Sequence, residues 1–382
     1  MGAVKVTVLT AFPEFLSSFL STSIVGRAVE RGLIDVKAVD LRDFSQGNYR
    51  QIDDYSFGGK GGMTIMPEVL DRALASVRSD DAKVLFPTPT GSVLTQDLVE
   101  ALALEKELVI ICGHYEGLDE RFVRESVDLE YSIGDYVLTG GEIPAMTLID
   151  ALSRLVPGVV GKELSVTDDS FYNGLLDTPH YTRPSVWHGQ EVPAVLTSGD
   201  DARIEKYRKR TAAFLTLSRR PDLLSRANVM DYLEDEVYVG IVVSSDTVDP
   251  SGMRGIAQSA GAYGVARVIA APERREDFDA LRNALASVPE IKCVPSVRRM
   301  TEWAGRKKHA PLLVIAAETR PGVPWLEAKR RLVETGGPTL ITFGAPPTGE
   351  NVIAMRPIQT TGGELPHTAL VAATLDRFFG SR

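Results

Sequence analysis

The densest run of residues able to do chemistry is Ser132-Ile133-Gly134-Asp135-Tyr136-Val137-Leu138-Thr139-Gly140-Gly141-Glu142-Ile143-Pro144. Glycines in a short apolar loop let the backbone approach a ligand closely. Such a loop can offer main-chain N–H and C=O groups to an adenine edge and a ribose. It also suits a tight turn between a strand and a helix, and its spacing is not the Gly-x-Gly-x-x-Gly of a dinucleotide site. A second run, Cys112-Gly113-His114-Tyr115-Glu116-Gly117-Leu118-Asp119-Glu120-Arg121, leaves an apolar strand. Open α/β sheets place ligands at the carboxyl ends of their strands. The same residues also read as the start of a helix capped by Asp119. Phe86-Pro87-Thr88-Pro89-Thr90-Gly91 leaves another strand, and two prolines make it either a rigid wall or an ordinary loop. Gly58-Gly59-Lys60-Gly61-Gly62-Met63 could cradle a phosphate on its N–H groups or form a flexible turn. It is not a Walker A loop, because Gly rather than Ser or Thr follows Lys60. Arg154, Asp168, Asp169 and His180-Tyr181-Thr182-Arg183-Pro184 complete the candidates.

The elements that must position these runs alternate. Val4 to Leu9, Val36 to Val39, Lys83 to Phe86 and Leu108 to Cys112 read as strands, the last two short and apolar as in sheets covered on both faces. Helices are expected from Pro13-Glu14 to Leu20, from a Thr95 cap to about Leu104, and from Ala145 to Leu155. This alternation predicts an α/β domain with a largely parallel sheet over 1–160. Residues 161–175 are polar and turn-rich, a linker. Residues 176–235 read as a small helical domain, broken at Arg220-Pro221. Residues 236–382 predict a second α/β domain, with strands at Val237 to Val243, Val268 to Ala271, Leu312 to Ala316 and Thr339 to Phe343. Its helices are expected at Met253 to Tyr263, Glu276 to Val288, Trp325 to Thr335 and His367 to Phe379.

The chain has 382 residues, 44% hydrophobic and 24% charged, which suits two or three folded domains rather than a disordered chain. No apolar stretch approaches the roughly 20 residues that span a bilayer. The apolar start lacks a basic lead and a small-residue cleavage site, so no signal peptide and no membrane partner are expected. Cys112 and Cys293 stand alone, read as small buried hydrophobes, and no metal-ligand cluster is visible. The net charge of −9 argues mildly against nucleic acid, yet Arg203, Lys206, Arg208, Lys209, Arg210, Arg219 and Arg220 form a local basic stripe. Alone, that stripe is equally a solvated helix face.

Gly113 to Gly117, Ser132 to Glu142, Pro144 to Asp150 and His180 to Pro184 together resemble one family: the bacterial tRNA (guanine-N1)-methyltransferases (TrmD family, SPOUT class) that modify guanosine 37 beside the anticodon. Asp53-Asp54 and the glycine run at 58–62 match in kind, and the likeness covers roughly residues 1 to 230. It implies a trefoil-knotted α/β domain, a rare exception to topology rules. It further implies an obligate homodimer with an active site shared between subunits, a cytoplasmic location, S-adenosylmethionine as methyl donor and tRNA with G at position 37 as partner. By this likeness the donor lies among Phe86, Pro87, Thr88, Pro89, Gly113, Tyr115, Glu116, Ser132, Ile133, Gly134, Asp135, Tyr136, Val137, Leu138, Gly140, Gly141 and Pro144. Asp169 corresponds to the general base and Arg154 to an electrostatic helper, with Glu116 the third catalytic candidate. Lys60, His180, Arg183, Arg203, Lys206, Arg208, Lys209 and Arg210 become the tRNA contacts. His114 stands where family members often have Arg, and Phe86 to Gly91 is a loose match.

The chemistry agrees with those residue types. Guanine N1 carries a proton at neutral pH, so a carboxylate must remove it, an effect of about 10²–10⁴-fold. Negative charge then builds on O6, to be met by Arg154 or by Mg²⁺. Phe343 to Pro347, Met355 to Ile358 and the helix from His367 make the last domain resemble a second, more distant SPOUT-type RNA methyltransferase domain. It suits equally a non-catalytic module that enlarges an RNA surface or a dimer interface. Three rivals stand beside this reading: an RNA-binding protein without catalysis, which predicts a missing base or donor loop; phosphoryl transfer at Gly59-Lys60-Gly61, which lacks a Mg²⁺-binding Ser or Thr; and a methyltransferase acting on a different RNA position through the C-terminal domain.

Overall fold

The computed structural model describes residues 4–46, 49–58, 61–160, 169–171, 174–233, 235–243, 248–306, 310–317, 321–344, 351–356 and 367–380. The chain divides into two compact units, Met1–Thr167 and Asp168–Arg382.

The first unit runs β1 (Val4–Thr10), α1 (Glu14–Ser21), α2 (Ser23–Glu30), β2 (Ile34–Asp40), a β3–β4 hairpin (Asp53–Tyr55, Met63–Ile65), α3 (Pro67–Val77), β5 (Ala82–Val93), α4 (Gln96–Leu102), β6 (Glu107–Ile111), α5 (Glu120–Ser126), β7 (Leu129–Ser132) and α6 (Glu142–Leu155). Its five-stranded sheet has the order β2-β1-β6-β5-β7, and every pairing is parallel. All of β6 is buried, which is why its sequence is an unbroken apolar run after Glu107. Successive side chains leave a strand on opposite faces. Val109 and Ile111 therefore join α3 and α5 in one layer, while Leu108 and Ile110 join α1, α4 and α6 in the other. Thr95 caps α4 by accepting from Leu98 N, and Asp119 caps α5 by accepting from Arg121 N.

Two local expectations change. Phe86 to Gly91 does not leave the sheet as a loop but continues β5, with a register shift against β7 between Pro87 and Ser92. Pro89 falls in the unpaired stretch, where its missing N–H costs no ladder bond. Gly91 lets the strand return to β7: a Cβ there would lie 2.3 Å from Tyr131 N. Helix α6 starts at Glu142, ahead of the expected Ala145, because Ile143-Pro144 fits a first turn that needs no N–H donor.

The second unit carries a β8–β9 hairpin (Val186–Trp187, Gln190–Glu191), α7 (Asp201–Arg219), β10 (Val237–Val243), α8 (Pro250–Ala262), β11 (Arg267–Pro272), α9 (Phe278–Ala284), β12 (Ile291–Cys293), α10 (Val297–Ala304), β13 (Leu313–Ala316), α11 (Trp325–Thr335), β14 (Thr339–Phe343), β15 (Val352–Ala354) and α12 (His367–Phe379). Its six strands are parallel in the order β12-β11-β10-β14-β13-β15. The helix expected over Glu276 to Val288 is shorter than that pattern, ending at Ala284.

One apolar core crosses residue 235, where the sequence pattern sets a domain boundary. Leu175, Ala213, Leu224, Ala227 and Val229 pack in the same cluster as Val237, Val239, Ile241, α8, α11 and α12. A single long helix with short turns has too little apolar surface to bury by itself, so it borrows the face of the adjoining sheet. Cys293 is half-buried rather than core, whereas Cys112 is fully buried, and both thiols are free.

Candidate active site

The carboxyl edge of the first sheet gathers the runs singled out by their chemistry. β6 ends at Ile111, and the Cys112 to Asp119 loop follows. β7 ends at Ser132, and the Ile133 to Gly141 loop follows. The two loops are joined: Gly141 N donates to Gly113 O at 3.0 Å, and His114 bridges Gly140 in antiparallel fashion. Phe86 lies beneath them, its ring 2.9 Å from where a Cβ on Gly113 would sit. Gly141 is needed for the same reason, since a Cβ there would lie 2.7 Å from Cys112 Cα. The glycines thus allow backbone against backbone, where any side chain would separate the loops.

Below the loops stands a buried acid. Glu142 is 4% exposed in the first turn of α6. Its carboxylate accepts from Thr10 Oγ1 at 2.5 Å and from His114 Nε2 at 2.8 Å to each oxygen. The His114 ring packs 4.7 Å from Phe12 and 6.1 Å from Tyr115, centre to centre. Cys112 lies in the same buried layer, and burial, followed by the charge of Glu142, pushes its thiol well above the usual range. That removes it as a nucleophile and leaves it an apolar filler. Burial likewise pushes the Tyr131 hydroxyl well up.

The loop tips are less covered. Tyr115, 64% exposed, adopts a left-handed backbone (φ +59°), and Gly117 follows at φ +105°. A non-glycine residue held there costs of order 1–3 kcal/mol and clusters at functional sites. The β3–β4 hairpin fixes this tip, with Glu116 N donating to Met63 O at 2.9 Å and Ile65 N to Gly117 O at 3.0 Å. Glu116 is exposed and lies over Gly62, whose absent Cβ would sit 2.5 Å from Glu116 Cγ. In the other loop Gly134 N donates to Ser132 Oγ at 3.3 Å, the Tyr136 ring folds over Gly134, and Asp135, Tyr136, Val137 and Leu138 point to solvent. Pro87 and Pro144 are buried beneath the cradle, while Thr88 is half-buried and Pro89 exposed.

The other expected site residues fall on other elements. Arg154 is exposed in the last turn of α6, twelve residues past Glu142, which the helical rise converts to about 18 Å. Asp169 is half-buried and belongs to the second unit. His180 pairs with Asp177 at 2.9 Å, and Arg183 is exposed. On α7, Arg203, Lys206 and Arg210 recur at the spacing of one helix face, with Arg208 on another, and Lys209 pairs with Glu205 at 3.5 Å. Lys60 and Asp168 lie outside the described residues, as do Ala345 to Pro347 and Pro357-Ile358. Among the described residues no helix is long and apolar enough to cross a membrane, and no group of His, Cys, Asp or Glu is placed to hold a metal ion.

Sequence reasoning gave no role to Thr10 or Glu142. A carboxylate directly after Gly-Gly at a helix start was the available signal, but its partners lie 132 and 28 residues away. It also passed over Trp187 and His188 at the β8–β9 turn, whose rings meet edge to face with centres 4.3 Å apart, with Trp187 64% exposed.

Known proteins match the same stretch. A methyltransferase of Ruminiclostridium cellulolyticum named tRNA (guanine-N(1)-)-methyltransferase is 47% identical over 225 residues, 58% of this chain and 97% of that protein. Proteins of the same name from Syntrophomonas wolfei and Desulforudis audaxviator are 50% identical over 220 residues and 49% over 227, covering 90% and 91% of those proteins and 58% and 59% of this chain. The family described as tRNA (Guanine-1)-methyltransferase TrmD matches residues 4–226, more than half the chain and the whole cradle, and the chain belongs to that family.

Proposed function

We propose that this chain transfers a methyl group from S-adenosylmethionine to N1 of guanosine 37 in tRNA. The observation that carries the reading is the cradle at the carboxyl edge of the first sheet, in a chain of the TrmD family. The cradle fits an adenosyl group in kind. It offers peptide groups at glycines with no room for side chains, and apolar faces at Val137 and Leu138 that its own unit leaves exposed. S-adenosylmethionine, when bound there, supplies an electrophilic methyl on a sulfonium.

Residues 86–89, 113, 115, 116, 132–138, 140, 141 and 144 would hold the donor, with Glu116 at the Tyr115 tip as the third catalytic candidate. Asp169 takes the N1 proton and so frees the lone pair that would accept the methyl, the methyl–sulfur bond of the sulfonium breaking with its electron pair left on the thioether product. Arg154 meets the charge that grows on O6. Arg154 stands about 18 Å along α6 from the cradle of its own chain. A homodimer, with donor loops and acceptor-side residues drawn from different subunits of a trefoil-knotted SPOUT fold, resolves that separation. His180, Arg183 and the α7 cations grip the tRNA backbone, which explains a basic stripe on an acidic chain. Residues 236–382 are proposed as a second SPOUT-like domain, either a further RNA methyltransferase or a non-catalytic RNA-binding or dimerisation module.

The test is methyl transfer from labelled donor to an unmodified transcript carrying G or A at position 37, with wild type and Asp169→Ala as full-length chains. Labelling that requires both G37 and Asp169 is the expected result. Labelling of neither transcript overturns the reading in favour of a binding protein, and labelling independent of both moves the activity to residues 236–382.

A further inference from the structure

Glu142 carries more of this site than a helix start requires. An acid at 4% exposure in an otherwise apolar layer is costly unless its oxygens are satisfied. Here they are, by groups from two separate segments, Thr10 at the end of β1 and His114 in the loop after β6, and the N-terminal dipole of α6 further favours a carboxylate there. Thr10 Oγ1 also accepts from Phe12 N at 2.9 Å, so the hydroxyl is oriented toward the acid.

The glycine beside this contact is explained by it. A Cβ on Gly140 would lie 2.4 Å from His114 Cε1, 2.6 Å from Nε2 and 2.7 Å from Glu142 Oε2. Gly140 is therefore small because the imidazole–carboxylate pair occupies the space of a side chain, not only because a ligand needs access to its backbone. The pair in turn presses the 113–117 loop onto Gly140-Gly141, through the His114–Gly140 bridge and the Gly141 N to Gly113 O bond. The packing of α6 does not depend on it: Ala145, Leu148, Ile149 and Leu152 are buried in the apolar layer one turn and more further on.

We propose that Glu142 is a positioning residue for the donor cradle: by holding His114 against Gly140, with Thr10 as its second anchor, it sets the affinity for the methyl donor. The inference rests on the reading of the cradle as an S-adenosylmethionine site. Breaking one charge-assisted buried bond should loosen the donor on the order of tenfold. The tRNA KM should stay put, because the pair bonds Thr10 and borders Gly140 within the donor cradle itself.

The experiment uses the full-length chain, with S-adenosylmethionine as the titrant in calorimetry and steady-state methyl transfer to tRNA as the second readout. Glu142→Gln and His114→Ala should each raise the donor Kd and KM, with kcat and tRNA KM within about twofold of wild type and the double variant no worse than the weaker single. His114→Gln, which keeps a donor for the carboxylate, should recover most of the affinity. Gly140→Ala should abolish donor binding, and adding His114→Ala, which removes the nearer of the two crowding side chains and frees the Glu142 carboxylate to shift, should restore part of it. That suppression decides the matter if Glu142→Gln fails to fold. Unchanged donor affinity in well-folded Glu142→Gln and His114→Ala, or no suppression of Gly140→Ala, overturns the inference alone. A wild type that binds no S-adenosylmethionine overturns the underlying reading and this inference with it.

Discussion

Glu142 and Lys329 are buried ionisable side chains on helices that pack on two parallel sheets, and they sit in different kinds of place. Glu142 stands at the carboxyl edge of the first sheet, between loops. Lys329, fully buried in α11, stands where the helical segment meets the second sheet. Its Nζ donates to Ala227 O at 2.6 Å and to Arg377 O at 3.0 Å. Arg377 lies in the last turn of α12, where carbonyls have no helical partner. The first charge joins two loops at a sheet edge, and the second closes a seam. The difference teaches that similar sheets need not do similar work: in the first unit the edge is furnished, in the second the flank is.

The hardest blow to this division would come from Asp169, which lies in the second unit. Asp169→Ala should lower kcat by about 10²–10⁴-fold in single-turnover methyl transfer while donor affinity by calorimetry stays unchanged. A parallel loss of donor binding would break the assignment of donor and base to separate units.

Lys329 gives the next largest effect. Burial lowers its pKa to about 7, partly opposed by Asp376. Below that value the lysine is charged folded or unfolded, and the cost of burying the charge is carried in full. Between about 7 and the ordinary value of 10.5 only the unfolded chain holds the proton, so stability should rise with pH there. The slope is at most about 1.4 kcal/mol per pH unit. All three tryptophans, Trp187, Trp303 and Trp325, belong to the second unit, so their fluorescence in urea reads that unit alone. Lys329→Met should flatten the pH dependence, and a retained slope would mean that another group is its source.

A smaller effect sharpens the role of α7. Lys206 shares a face with Arg203 and Arg210, and Arg208 does not. Lys206→Ala should raise the tRNA KM several-fold and reduce its salt slope by about 0.7, as for one lost phosphate contact, with Arg208→Ala weaker. Equal effects would make the stripe a general field rather than a grip. Smallest are the caps. Thr95 accepts from Leu98 N in the first unit, and Asp249 accepts from Ser251 N and Gly252 N in the second. Alanine at either should cost about 1 kcal/mol in urea unfolding. Only Asp249→Ala should shift the tryptophan transition if the units unfold separately.

Much of this was legible in the residues. The strands at Val4 to Leu9, Leu108 to Cys112 and Val237 to Val243 announce themselves as apolar runs, and Thr95 and Asp119 as caps. The glycine loop after β6 could be placed at a strand end from order alone, whereas the four-residue β7 before the second loop was not read. The β3–β4 hairpin was not, because three-residue strands carry too short a pattern to distinguish from turns. Nor was the continuation of β5 through Pro87 and Pro89, since proline signals a break unless a bulge leaves its nitrogen unpaired.

What the sequence determined by itself is local: which segments pair or coil, where they stop, and which loops lack side-chain bulk. These follow from hydrophobic period, capping and glycine content within a few turns of chain. What only the tertiary structure decided is which distant groups meet. Thr10 and Glu142 lie 132 residues apart, and Ala227 and Lys329 lie 102 apart. Sheet order, β2-β1-β6-β5-β7 in one unit and β12-β11-β10-β14-β13-β15 in the other, brings them together. That order is set by the whole packed core, and no short window of residues contains it.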